Sequence, residues 1–249
     1  MKNKILILDI ETTGFLNKGG LIVEVGAVDL DIRTGVITKV FDSLLREGTF
    51  SPRHEKEPYG WIFRNSNLKY EDVLTAPPAK DVFKDLQVII DKYELGCTAF
   101  NSKFDFDFLE NRGIVLDKKL PCPMLLSIDI CKLPGRYPGK YKWPKVEEAY
   151  SFFFPKREYV EAHRGCDDAA HEAEIVYELI ERGVFEVPSY KVDSDYSLNM
   201  PESVEKELDK VFKKNDTFSH VGLAEYLRKT YNQSDFEEFY RCMGDIISE

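Results

Sequence analysis

An apolar run that ends in two acids constrains this chain more than any other feature. In KILILDIETTG, residues 4–14, four consecutive aliphatic residues lead into Asp9, Ile10 and Glu11. A continuous apolar segment of this length suits a β-strand buried on both faces, as inside an α/β sheet. Residues two apart on a strand share a face, so Asp9 and Glu11 project together while Ile10 packs into the opposite layer. Buried charge is costly unless paired, and neighbouring carboxylates repel unless a multivalent cation lies between them. The pair stands at the carboxyl end of the predicted strand, before a Thr-Thr-Gly turn, where α/β sheets expose ligand sites. Taken alone, the stretch is equally compatible with two solvated acids.

The rest of the chain surrounds that strand with elements of both kinds. Residues 21–31 (LIVEVGAVDLD) and 36–46 (VITKVFDSLLR) are β-rich, and Arg33-Thr34-Gly35 between them is a hairpin signal. Val82, Phe83, Leu86, Ile89, Ile90 and Tyr93 recur at helical spacing and predict an amphipathic helix over 78–92. Short strands are expected at 96–100 and 125–131, and helices at 104–112, 145–154 and 166–182, with Gly113 and Gly183 closing the first and last. Three strands in a meander followed by strands alternating with helices describe an α/β sheet of mixed direction and five strands.

Composition narrows the function classes. With 249 residues, 43% hydrophobic and 31% charged, the chain suits one α/β domain plus a small appendage, or two modest domains. Its start lacks the pattern of a signal peptide and no apolar run nears membrane-spanning length, so a cytoplasmic protein without a membrane partner is expected. The five cysteines, Cys97, Cys122, Cys131, Cys166 and Cys242, are odd in number and form no CxxC pair, arguing for reduced thiols rather than disulfides or zinc. A net charge of −10 argues against a surface that wraps nucleic acid throughout. From Val184 onward 14 acidic face 8 basic residues, so most of the excess lies in the tail. The tail itself reads as a linker over 184–200 and a small acidic helical extension over 201–249, with Ser219 and Ser234 as possible caps.

Two further constellations join the opening one. FNSKFDFDFL, residues 100–109, carries Asn101, Asp105 and Asp107 at a strand-to-helix junction. Residues two apart on a helix point in nearly opposite directions, so only one of the two aspartates reaches a common site. In AHRGCDDAAHEAEIV, residues 162–176, His163 precedes a helix whose first turn offers Asp167 and Asp168. Both fall away from the apolar stripe through Ala173, Val176 and Ile180, so helical phase does not choose between them. His54, His171 and His220 have no comparable pattern and read as surface residues.

DIETTG, NSKFD and HRGCDD, in that order, resemble the three motifs of the DnaQ-like 3′-to-5′ exonucleases, the family of the polymerase III epsilon proofreading subunit. The third motif is similar to the family's histidine branch, His-x-x-x-x-Asp, which selects Asp168 with His163. The resemblance covers residues 1–183 and implies a ribonuclease H-like fold, a mixed five-stranded sheet flanked by helices. It implies that Asp9, Glu11 and Asp168 hold one divalent cation, that Asp9 bridges to a second, and that Asp105 supports the second through water. Magnesium suits such an oxygen-rich site, with manganese as a substitute. Two cations can clamp the attacking and leaving oxygens of an in-line phosphodiester displacement. His163 would take the proton from the attacking water, and its place before a helix suits a loop that positions it when substrate arrives.

The implied reaction removes nucleoside 5′-monophosphates from single-stranded 3′ ends in proofreading, repair or end trimming, with DNA expected over RNA. Thr12, Thr13 and Gly14 would meet the terminal nucleotide by backbone, with Asn101 nearby. KLPGRYPGKYKWPK, residues 132–145, holds five basic residues, no acid, and Tyr137, Tyr141 and Trp143, a mixture that suits single-strand binding. RNA-directed relatives resembling oligoribonuclease or ribonuclease T use the same five site residues, so they remain the alternative. So does a polymerase-associated binding module, although all five motif residues are present. A haloacid-dehalogenase-type phosphatase would require Asp in place of Glu11. Polymerase docking or self-association would fall to the acidic extension.

Overall fold

The computed structural model describes residues 2–159 and 162–187. The linker expected over 184–200, apart from its first four residues, and the extension over 201–249 lie outside the described residues, as do His220 and Cys242.

The opening run forms β1 (Lys4–Thr12), an interior strand of a four-stranded sheet. It pairs antiparallel with β2 (Ile22–Asp31), which pairs antiparallel with β3 (Ile37–Leu44). The hairpin between β2 and β3 turns where expected: Asp31 Oδ1 accepts the backbone N–H groups of Arg33 and Thr34 at 2.9 and 3.1 Å, and Gly35 takes a left-handed φ of 71°. On the other side of β1 lies β4, reduced to Cys97–Thr98 and parallel to it, so the order is β3-β2-β1-β4.

The helices are α1 (Trp61–Asn65), α2 (Tyr70–Thr75), α3 (Ala79–Ile90), α4 (Ser102–Asn111), α5 (Pro123–Cys131), α6 (Val146–Phe153) and α7 (Gly165–Glu181). Alternate residues of β1 feed two cores. Leu6, Leu8 and Ile10 pack with residues of α3 and α4, whereas Ile5 and Ile7 pack with α5, α6 and α7. Asp9 and Glu11 continue the second set and therefore face the α7 layer.

Five strands are not found among the described residues, and the stretch expected as the fifth is α5. Its sequence, PMLLSIDIC, alternates at Ser127-Ile128-Asp129-Ile130 like a half-buried strand. Its buried residues, however, are Pro123, Met124, Ser127 and Cys131, a spacing of three and four. Pro123 at the first helical position favours that outcome, and a short apolar run alone does not separate the two periods. The helices α1 and α2 are too short to announce themselves by periodicity. Ile62, Leu68 and Val73 make a small separate core there against Val23. His54 is a second correction. It is fully buried in this region, its ring stacked 5.7 Å from Phe50 and its Nδ1 3.1 Å from the Ser51 backbone nitrogen. The surface reading failed because its partners are aromatic residues that fold back locally. His171 is half-buried, edge-on to Tyr150 and Tyr159. The described cysteines are unbridged, and among the described residues no helix is long and apolar enough to cross a membrane.

Candidate active site

The carboxyl end of β1 meets the first turn of α7 at backbone contact. Asp9 is paired with Gly26 across the β1–β2 ladder. A Cβ on Gly26 would lie 2.0 Å from both the Gly165 carbonyl carbon and the Cys166 nitrogen; one on Gly165 would lie 3.1 Å from the Asp9 carbonyl oxygen. Only glycine at these two positions lets the helix start directly over the acids. The glycines of VEVGAV and HRGCDD are thus one packing contact, made across 139 residues of sequence.

The five motif side chains come from three separate stretches and converge here. Glu11, His163 and Asp168 each place a possible ligand atom within 4.8 Å of the others. This trio takes in His163 rather than Asp9, whereas the expected first cation set was Asp9, Glu11 and Asp168. Burial above all, and then the nearby charges of Glu172, Glu11, Asp105 and Asp168, hold the pKa of the Asp9 carboxyl well above the usual carboxylate range. Asp105 is buried, and its Oδ1 accepts the Ile10 N–H at 3.2 Å, tying α4 to β1. Burial pushes Asp105 up to about 8 against that hydrogen bond. Asp168 is also buried and raised by burial, while the Arg164 N–H, donated to its Oδ2 at 2.9 Å, and His163 act the other way.

The alternatives at each motif separate by burial. Asp107 is exposed and paired with Lys103 at 2.6 Å. Asp167 is exposed, with its carbonyl 2.9 Å from His171 Nδ1. The stripe through Ala173, Val176 and Ile180 misjudged the inner face of α7, which also includes Asp168, Ala169, Glu172, Ile175 and Leu179. Acids counted as polar were left off the stripe, although they share its side.

Glu172 was missed for that reason. It is buried one turn beyond Asp168, and its Oε2 accepts the Phe100 N–H at 3.1 Å. Burial and then the Asp105 charge push its pKa well above the usual carboxylate range. An acid four residues after Asp168 is the signal that would have found it. Glu24, opposite Glu11 in the ladder, is also buried and takes the Arg164 guanidinium at 2.9 and 3.0 Å. The pair fastens the segment holding His163 to β2. His163 itself has a left-handed φ of 49°, and Trp61 stands edge-on to its ring at 4.8 Å.

The expected substrate contacts are distributed unevenly. Thr13 is fully buried; its N–H donates to the Leu21 carbonyl at 2.9 Å and its hydroxyl accepts the Leu21 N–H at 3.0 Å. Thr12 donates its hydroxyl to the Gly14 carbonyl at 3.0 Å. Gly14 has room for a Cβ 3.4 Å from Tyr59, whereas Gly20 does not, since its Cβ would meet the Gly14 oxygen at 2.2 Å. Asn101 is the left-handed residue, φ 64°, that starts α4. Tyr141 and Trp143 lie on a small hairpin between α5 and α6, where Gly135 and Lys142 N–H groups donate to the Lys140 and Leu133 carbonyls. Trp143 is 64% exposed and Tyr137 67%. Lys142 and Lys145 pair with Glu148 and Glu147.

Buried oxygens test whether a cation fits. Asp9 Oδ2 and Asp168 Oδ1 are buried without a hydrogen-bond partner among the described residues. Unpaired carboxylate oxygens facing other acids are what a hard cation satisfies, and the oxygen-rich donor set is of the right kind.

Fold and site define an α/β protein with a carboxylate centre at the end of an interior strand. An exonuclease family model, RNase_T, matches residues 6–176, and the chain belongs to that family. Solved structures agree in fold. A full-length 3′-exonuclease is 16% identical with a TM-score of 0.54 over 74% of this chain and 62% of its own. The present chain thus spans about three-fifths of that protein. A 3′-exonuclease described in 3′-end-specific recognition of a histone mRNA stem-loop is 16% identical, TM-score 0.55, over 74% and 84%. The nuclease domain of 3′hExo, a DEDDh family member bound to rAMP, is 15% identical, TM-score 0.54, over 76% and 98%. No curated protein sequence matches the chain.

Proposed function

We propose that the protein is a divalent-metal-dependent 3′-to-5′ exonuclease of the DEDDh type that releases nucleoside 5′-monophosphates from single-stranded 3′ ends. The observation that carries this reading is the meeting of Asp9, Glu11, Asp105 and Asp168, with His163 beside Glu11 and Asp168, in a chain of the exonuclease family. Asp9, Glu11, Asp105 and Asp168 would hold two divalent cations, Mg²⁺ or Mn²⁺, which when bound supply positive charge for the attacking and leaving oxygens. His163 accepts the proton of the attacking water, and Trp61 and the Glu24–Arg164 pair hold the imidazole toward the acids. Backbone at Thr12 and Gly14, with Asn101, receives the terminal nucleotide. The hairpin carrying Tyr141 and Trp143 takes upstream bases by stacking, while Lys132, Arg136 and Lys140 meet phosphate.

DNA is the expected strand, although the five motif residues serve RNA-directed relatives equally. A ribonucleotide substrate has its own support in the fold neighbours described with an mRNA stem-loop and with rAMP. The polymerase-docking reading would place its contact in the acidic extension. The deciding experiment is a time course on 5′-labelled single-stranded DNA and RNA of one sequence with Mg²⁺ or EDTA, for the wild-type and Asp168→Ala proteins. A Mg²⁺-dependent ladder shortening from the 3′ end, abolished in the variant, is expected, and the faster strand ranks the sugar. Intact DNA and RNA with folded protein in Mg²⁺ and Mn²⁺ would overturn the reading in favour of a binding module.

A further inference from the structure

Asp105 and Asp168 sit on different helices and must face the same point. The α4 side is held to β1 and to the segment before α5, where Cys97 and Thr98 bond the backbone of Lys118, Leu120 and Pro121. β4 has two residues, its ladder joins only Leu6–Cys97 and Ile7–Thr98, and α4 begins at the left-handed Asn101 three residues after it. The Asp105–Ile10 hydrogen bond ties α4 to β1, not to α7. The hydrogen bond that joins this corner to α7 runs from the Phe100 N–H to Glu172 Oε2, 72 residues apart. Glu172 shares the inner face of α7 with Asp168, one turn away, and only 2% of it is exposed. An acid in this place adds like charge beside Asp9 and Asp105, an arrangement that stability alone disfavours.

We propose that Glu172 is a positioning residue that ties the β4–α4 corner to α7 and so sets Asp105 against Asp168. The inference rests on the exonuclease reading for its consequence in catalysis, but its structural content stands apart from it. What the role needs is an oxygen acceptor at the reach of a Glu side chain. Glutamine supplies that acceptor without charge. Aspartate keeps the charge but is one methylene shorter, and leucine removes the acceptor.

The test compares wild type with Glu172→Gln, Glu172→Asp and Glu172→Leu in the full chain. Three properties are measured: Mn²⁺ affinity without nucleic acid, kcat and KM on the better oligonucleotide, and hydrogen exchange at the Phe100 amide. The glutamine variant should stay within about threefold of wild type in Mn²⁺ affinity and kcat, while the aspartate and leucine variants lose about tenfold or more in both, as supporting residues of metal sites do, with KM little changed. Phe100 exchange should quicken only in the latter two. If glutamine is as damaging as leucine, the carboxylate acts as a ligand and the inference fails. It also fails if aspartate keeps Mn²⁺ affinity and kcat. Should the leucine variant not fold, the glutamine–aspartate contrast decides. If wild type neither binds Mn²⁺ nor shortens either strand, the exonuclease reading fails, and Phe100 exchange alone then judges the tether: unchanged exchange in the aspartate variant overturns it.

Discussion

Asp167 and Asp168 are adjacent in sequence and differ in what surrounds them. Asp168 is buried with one oxygen on the Arg164 N–H, whereas Asp167 is exposed on the first turn of α7. Asp168→Ala should abolish turnover and Asp167→Ala should retain most of it, as single-turnover assays on one labelled strand would show; equal losses would refute the assignment of Asp168. The imidazole can be examined in the same assay. Removing a general base costs about 10²–10⁴-fold, so His163→Ala should fall in that range. Trp61 touches the His163 ring edge-on. Trp61→Ala should lower kcat by about tenfold through a misplaced base, with Mn²⁺ affinity unchanged. A drop in metal affinity would show that Trp61 acts elsewhere.

Between elements, the decisive contacts join β2 to the start of α7. Gly26 and Gly165 face each other at a distance no side chain tolerates. Gly26→Ala should push α7 away from β1, costing about 1–3 kcal/mol of stability in urea unfolding and nearly all activity. The neighbouring Glu24–Arg164 pair is unequal: the Glu24 side chain is 1% exposed and that of Arg164 35%. Arg164→Ala would strand a buried carboxylate, which costs about 3–5 kcal/mol in a fully buried pair and about 2 kcal/mol here, since the arginine keeps part of its hydration. Double substitution with Glu24→Gln should recover much of that loss; no recovery would mean that Arg164 stabilises by packing rather than charge. How far these contacts were legible differs by residue. The hairpin at Arg33-Thr34-Gly35 was, because turn chemistry is local. The helix at Pro123–Cys131 was not, because its alternation over Ser127–Ile130 satisfies a strand until a neighbouring layer selects every third and fourth residue.

For the molecule as a whole, gathered acids make metal-free stability depend on pH. An aspartate in the unfolded chain ionises near 3.9, whereas burial holds Asp105 up to about 8. The folded state therefore keeps a proton that the unfolded chain has lost, and stability declines as pH rises through the folded value. His54, lowered by burial, is neutral in both states only from about pH 7.5 upward, so it offsets part of the trend near pH 6.5 and none of it closer to pH 8. In EDTA, unfolding free energy should fall between pH 6.5 and 8 by up to about 1.4 kcal/mol per pH unit for one such proton, and saturating Mg²⁺ should remove the slope. Urea titrations at three pH values check this. A flat profile in EDTA would mean that the acids are not held together without metal.

The sequence by itself determined what depends on period and order. The apolar run made β1, alternation put Asp9 and Glu11 on one face, and three ordered motifs marked the acids and His163. Only the tertiary structure decided which face of a helix is inner and what meets there. Burial of Asp105 and Glu172 depends on hydrogen bonds to Ile10 and Phe100, 95 and 72 residues away. Helical spacing states which side chains lie together on a helix; the layer packed against it decides whether that side holds leucines or the carboxylates of a site.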